Sequence, residues 1–159
     1  MEKAIFGAGC FWGVQYYFDQ IPGVITSQVG YSGGRVKNPT YEQICYENTG
    51  HAEVVVIEFD SDLVTYQTLL KHFFRLHDPT QMNRQGPDVG EQYRSVIFYT
   101  SDDQRVIAES IKEQLQSQHG YKIVTQIEPE GPIYLAEDYH QKYAEKTGRG
   151  MCHVAYKPI

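Results

Sequence analysis

In "GAGCFWGVQYYF", residues 7–18, a cysteine stands between glycine and two large aromatics. Gly9 lets the backbone turn sharply. The residues from Phe11 onward read as a helix, so Cys10 falls at its N-terminal end. There the free N–H groups and the positive end of the helix dipole favour a thiolate. That lowers the thiol pKa and makes a nucleophile at neutral pH. Phe11 and Trp12 can wall an apolar pocket beside the sulfur. The same position also suits a buried, inert cysteine in a corner of the core, and local physics weighs the two readings evenly.

Proton donors come from other stretches. Glu53 opens an apolar strand in "TGHAEVVVIEF". Partial desolvation there raises a carboxyl pKa and favours the protonated acid, although an ordinary strand-edge glutamate is the plainer reading of the same residue. "NPTYEQIC" sets Tyr41 at a loop–helix junction, and "QGPDVGEQYRS" sets Asp88 and Tyr93 where a long loop enters a strand. The other two cysteines differ from Cys10 in setting. Cys45 sits in the short apolar turn "YEQIC" and reads as a small core residue, whereas Cys152 lies in a glycine-flanked tail. An odd count with no C-x-x-C spacing argues against a disulfide framework or a zinc ribbon. The six histidines are scattered, so no metal is expected.

These residues must be positioned by elements that the patterning outlines. Residues 3–7 read as a strand, 11–20 as a helix, and 24–31 as a β-branched, alternating strand. A Gly- and Pro-rich loop over 32–40 precedes a helical turn at 41–45, capped by Thr40. Residues 52–60 form a near-continuous apolar strand of the kind covered on both faces. Tyr66, Leu69, Leu70, Phe73 and Phe74 mark one face of a helix over 65–77. The polar loop 78–92 is long enough to suggest function. A strand is expected at 93–100, then a helix from a Ser101–Gln104 capping box to Gly120. A strand at 122–128, a helix at 135–147 and an unpatterned tail complete the chain. The order predicts a single α+β domain, a mixed sheet with helices packed on it in a split βαβ, ferredoxin-like arrangement. The catalytic part is expected over 1–147, with a mobile tail over 148–159.

The bulk numbers narrow the function classes. A chain of 159 residues can bury a sizeable core, and a formal net charge of −6 without long charge runs gives no footprint for nucleic acid. No apolar run approaches a membrane span. "MEKAIFGAG" has no signal-peptide pattern, so a cytoplasmic location is expected. Thirteen tyrosines against seven phenylalanines supply many half-buried rings with a hydroxyl at the tip.

Singly the motifs are weak, but together they are specific. "GCFWG", "GYSGG", "NPTYEQIC", "TGHAEVV", "HDPT" and "NRQGPDVGEQYRS" follow one another over residues 9–95, and "AEDYHQKY" stands at 136–143. This set resembles the peptide methionine sulfoxide reductases of the A type over nearly the whole chain. The resemblance implies Cys10 as the nucleophile and Glu53 as the acid. It implies Tyr41 and Tyr93 as hydroxyl donors around the sulfoxide oxygen, Asp88 as a further lining residue, and Phe11 with Trp12 as the receptor of the substrate methyl. It also implies the S epimer as substrate, free or in proteins. The stretch "GMCHVAY" is similar to the segment where family members carry a resolving cysteine, with Met151 in place of the usual aromatic. A single Cys10–Cys152 disulfide is then expected, reduced by thioredoxin, with no bound cofactor. The rivals are a cysteine hydrolase, for which His51 is the only histidine near a motif, a peptide-binding module that does not need Cys10, and a thiol peroxidase.

Overall fold

The structure, a computed structural model, describes residues 1–149 and Tyr156. The tail expected at 148–159 therefore falls largely outside the described residues, and Cys152 falls wholly outside them. In chain order the elements are β1 (Glu2–Ala8), α1 (Phe11–Phe18), β2 (Val24–Ser32), α2 (Tyr41–Tyr46), β3 (Ala52–Phe59), α3 (Tyr66–Leu76), β4 (Arg84–Gln85), β5 (Asp88–Val89), β6 (Ser95–Tyr99), α4 (Asp102–His119), β7 (Gln126–Pro129), β8 (Ile133–Leu135) and α5 (Tyr143–Thr147). Single 3-10 turns occupy Glu91–Tyr93 and Asp138–His140. Among the described residues no helix is long and apolar enough to cross a membrane.

The main sheet has six strands in the order β7-β6-β1-β3-β2-β8. Its inner four, β6-β1-β3-β2, are antiparallel throughout, with α1 linking β1 to β2 and α3 linking β3 to β6. That is the split βαβ arrangement expected, and the parallel β6–β7 pair makes the sheet mixed. β3 carries the near-continuous apolar run because β1 and β2 flank it and side chains on both faces are buried. One face packs on α1 and α3, where Phe6 lies against Phe18, Tyr66 and Phe73 with ring centroids 5.1 to 6.0 Å apart. Burying each such ring contributes on the order of 2 kcal/mol. A smaller cluster of Ile5, Ala52, Val54, Val96 and Phe98 fills the other face.

Caps fall where the sequence places them, with one change. Thr40 caps α2 in a full reciprocal box with Gln43. Ser101 Oγ accepts the Gln104 amide N–H, but the Gln104 side chain turns to Thr100 N–H and Lys3 C=O instead of closing the box. Two expectations fail. The strand expected at 122–128 is confined to Gln126–Pro129, alongside β6. The helix expected at 135–147 breaks into the end of β8, a 3-10 turn and a five-residue helix. Lys142 adopts φ 58°, which interrupts any continuous helix there. The expected loop 78–92 contains the small β4–β5 hairpin.

Candidate active site

The chain leaves β1 through Gly9 at φ 96° and enters α1 with Cys10 as the N-cap residue. A side chain would be strained at that φ, so glycine sets the entry. Cys10 is buried at 8% exposure, at the positive end of α1. Antiparallel pairing across β2 sets Glu53 opposite Tyr31, close to the start of β3. From there Glu53 Oε1 accepts the Phe11 N–H at 3.2 Å. The carboxyl thus sits on the first turn of the helix that Cys10 caps, and it is 1% exposed.

Two tyrosines converge on this carboxyl. Burial first, and the charge of Glu53 second, push the hydroxyl pKa values of Tyr41 and Tyr93 well above the usual phenol range. Asp88, Cys45 and Cys10 add to the effect on Tyr93, so all of them act on one hydroxyl. Both tyrosines are held as neutral O–H donors. Tyr41 opens α2, Tyr93 closes the 3-10 turn before β6, and half-buried Asp88 lies on β5. Glu53 thus acts electrostatically on the hydroxyls of both Tyr41 and Tyr93, and Cys10 and Asp88 act on that of Tyr93.

Phe11 and Trp12 begin an aromatic box. Phe11 is 1% exposed, with Tyr31 at 5.6 Å and His140 at 5.4 Å between ring centroids. The half-buried Trp12 stacks on Tyr143 at 4.0 Å and donates its indole N–H to His140 Nδ1 at 2.8 Å. His140 is fully buried, and burial lowers its pKa against the opposing pull of Glu137. Because Nδ1 accepts a hydrogen bond, the neutral ring carries its proton on Nε2. Glu137 ties this segment to the tyrosines by accepting the Tyr31 hydroxyl at 3.3 Å and the Tyr41 amide N–H at 3.2 Å.

Cys45 corrects an expectation. It is half-buried on α2, not a core residue, because that short helix turns only Ile44 fully inward. The Gln92 amide donates to Cys45 Sγ at 3.7 Å, and the sulfur shares a side-chain hydrogen bond with Tyr41. Sequence reasoning missed His140, Tyr143, Tyr31 and Glu137 as parts of the site. The available signal was chemical density: "EDYH" packs two acids, a phenol and an imidazole into four residues.

A buried cysteine at the N-cap position of α1, a buried carboxyl on the first turn of that helix and an aromatic box around Trp12 stand together on a ferredoxin-like sheet. The sequence matches the family described as peptide methionine sulfoxide reductase over residues 2–159, and the chain belongs to that family. It is an oxidoreductase that reduces methionine sulfoxide. The peptide methionine sulfoxide reductase MsrA of Methanothermobacter thermautotrophicus is 56% identical over 155 residues, covering 96% of this chain and 92% of the relative. Reduced Mxr1 from Saccharomyces cerevisiae superposes with a TM-score of 0.92 at 34% identity, over 99% of this chain and 92% of the other. Mxr1 in its complex with Trx2 matches at a TM-score of 0.63 and 29% identity, over 90% of this chain and 84% of the other.

Proposed function

We propose that Cys10 attacks the sulfur of the S epimer of methionine sulfoxide, free or in proteins, while Glu53 protonates the sulfoxide oxygen. The observation that carries this reading is the Glu53 carboxyl, 1% exposed and bound to the Phe11 amide at the helix end that Cys10 caps. Desolvation favours the neutral acid, whereas the Phe11 N–H favours the carboxylate. A proton delivered to the substrate leaves Glu53 in the form that this N–H stabilises. Tyr41 and Tyr93 donate to the oxygen as its charge develops, in the manner of an oxyanion hole. The sulfoxide S–O bond breaks, methionine leaves, and the oxygen ends on Cys10 as a sulfenic acid. The thiol has lost the two electrons that the substrate gained.

Handedness follows from three fixed directions around a tetrahedral sulfur. The methyl lies toward Phe11 and Trp12, the oxygen toward Glu53 and the tyrosines, and the attacking thiolate on a third side. Such a site admits one epimer, and the family resemblance assigns the S form. Asp88 is assigned a lining role by the family resemblance, and its charge helps hold the Tyr93 hydroxyl protonated.

Recycling completes the cycle. Residues 1–147 carry the catalysis and 148–159 carry Cys152. The Cys152 thiol condenses with the sulfenic acid, releasing water and forming a Cys10–Cys152 disulfide. A tethered thiol acts at an effective concentration on the order of mM. Thioredoxin then reduces the disulfide, a step supported by the complex that Mxr1 forms with Trx2. This exchange suits a reducing compartment, the cytoplasm. The test is a Cys152→Ser variant. It should release one methionine per chain and then stall with thioredoxin as sole reductant, and sustained turnover would remove Cys152 from the cycle.

A further inference from the structure

β8 covers β2 only from Gly30 to Ser32, through pairs with Leu135, Tyr134 and Ile133. At Val29 the ladder continues by other means. The Gln141 side-chain amide accepts the Val29 N–H at 2.9 Å and donates to the Val29 C=O at 2.9 Å. It also donates to Ala136 C=O at 3.0 Å, and the Ala136 N–H reaches the same Val29 carbonyl at 3.0 Å. One side chain thus joins the Ala136 N–H in extending the sheet edge past Gly30. The next residue fastens the segment to α1. Lys142 N–H donates to Gln15 Oε1 at 2.8 Å, and its ammonium meets Asp19 at 2.6 Å and Ser27 Oγ at 2.8 Å.

The residues on either side of this fastening both touch the indole, which also faces Tyr41. His140 accepts the Trp12 N–H, and Tyr143 stacks on the Trp12 ring. Neither lies in a regular element long enough to place it: the 3-10 turn ends at His140, and α5 has five residues. Lys142 between them holds a left-handed conformation at φ 58°, which persists for a side-chain-bearing residue only when its surroundings impose it.

We propose that Gln141 is a positioning residue of the methyl pocket: its two-way pairing with the Val29 backbone fixes His140 and Tyr143, and through them the Trp12 indole. This rests on the reading that Phe11 and Trp12 receive the substrate methyl. Gln141 itself touches no reacting atom.

The test uses Gln141→Met, which keeps the length and removes all three bonds, and Gln141→Glu, which keeps the acceptor for Val29 N–H and loses the donor to the Val29 and Ala136 carbonyls. With Gln141→Met, KM for methionine sulfoxide should rise about tenfold as the bracing of Trp12 loosens, while kcat changes less. Emission from the chain's single tryptophan should shift to the red and quench more readily with acrylamide. Alkylation of Cys10 by iodoacetamide without substrate should keep its rate. Gln141→Glu should fall between wild type and Gln141→Met, and it carries the test if the methionine variant does not fold. In a Trp12→Phe background, Gln141→Met should add little further loss, since coupled residues give non-additive effects. Unchanged KM and emission in a folded variant, or fully additive losses in the cycle, would overturn the assignment. An unchanged KM in Trp12→Phe alone would instead overturn the methyl-pocket reading beneath it.

Discussion

Two regions build this site in different ways. Cys10 and Glu53 hang from the β1–α1–β3 scaffold, whose ladder runs without interruption from Glu2↔Phe59 to Phe6↔Val55. Trp12 is braced by the 133–149 segment, whose regular pairing ends after three residues and is then replaced by the side chains of Glu137, Gln141 and Lys142. A ladder is cooperative, and each bond supports its neighbours. A bridge of single side chains stands or falls bond by bond, each contributing about 1 kcal/mol. Cys10 and Glu53, proposed to make and break bonds, hang from the ladder, and Phe11 and Trp12 stand on α1 beside them, whereas His140 and Tyr143, which brace the Trp12 ring, belong to the segment held bond by bond.

The largest effect expected from this contrast is chemical. Glu53→Gln should leave the fold intact, because an amide oxygen can still accept the Phe11 N–H and the strand register holds the side chain in place. Removing the acidic proton should slow methionine release in a single turnover by about 10²–10⁴-fold, the usual contribution of a general acid. Rapid-quench measurement of released methionine checks it. An unchanged rate would take Glu53 out of the mechanism, and a loss of folded structure would mean that the scaffold depends on the carboxylate.

The same contrast explains what the sequence makes legible. β3 announces itself by a β-branched run and α3 by apolar residues at helical spacing, since both patterns are local records of burial. Cys10 and Glu53 sit at the ends of such elements, so their places follow once the elements are read. The segment "LAEDYHQKYAEKT" reads as helix because most of its residues are good helix formers. What overrides that preference is remote. Gln141 answers to Val29 and Lys142 to Gln15 and Asp19, partners more than one hundred residues away in sequence. No periodicity encodes those bonds, so His140 and Tyr143 were hidden as parts of the site. Cys45 shows the opposite failure: an apolar spelling suggested burial, yet α2 has room to bury only Ile44.

A second, smaller effect sharpens the stiffness of the first region. His72 on α3 is 2% exposed, and its Nδ1 shares a 2.7 Å hydrogen bond with the Tyr17 hydroxyl on α1. Burial first, then the charge of Arg75, lowers its pKa from 6.5 to about 4. The folded state therefore binds fewer protons than the unfolded chain between these values, and stability falls as pH drops through that window. Its contribution is fully present above pH 6.5 and amounts to on the order of 3 kcal/mol lost by pH 4. His72→Gln removes the titration. The difference in denaturation midpoint between wild type and variant should therefore vary from pH 6.5 to 4 and be constant above. A difference that does not vary with pH would show that His72 is protonated in the folded protein.

The smallest effect tests the second region directly. Gly30 lies where β2 meets β8, and a Cβ there would stand 2.6 Å from the Tyr134 carbonyl oxygen and 3.2 Å from Leu135 Cα. Both contacts are backbone, so Gly30→Ala must push β8 outward. Because backbone must move, the cost exceeds the about 0.4–1 kcal/mol that the lower entropy of the unfolded alanine chain returns. Tm should therefore fall, by about 2–4 °C for each kcal/mol in a domain of this size, yet the fold should persist because the clash is confined to the short β2–β8 pairing. The site should feel more. Displacing β8 shifts Ala136 and the bonds that fasten His140 beside Trp12, so KM for methionine sulfoxide should rise severalfold while the rate of Cys10 alkylation stays the same. A collapse in Tm would instead place the 133–149 segment inside the cooperative core. The two regions would then be one, and the bond-by-bond bracing of Trp12 would no longer stand apart from the ladder that carries Cys10 and Glu53.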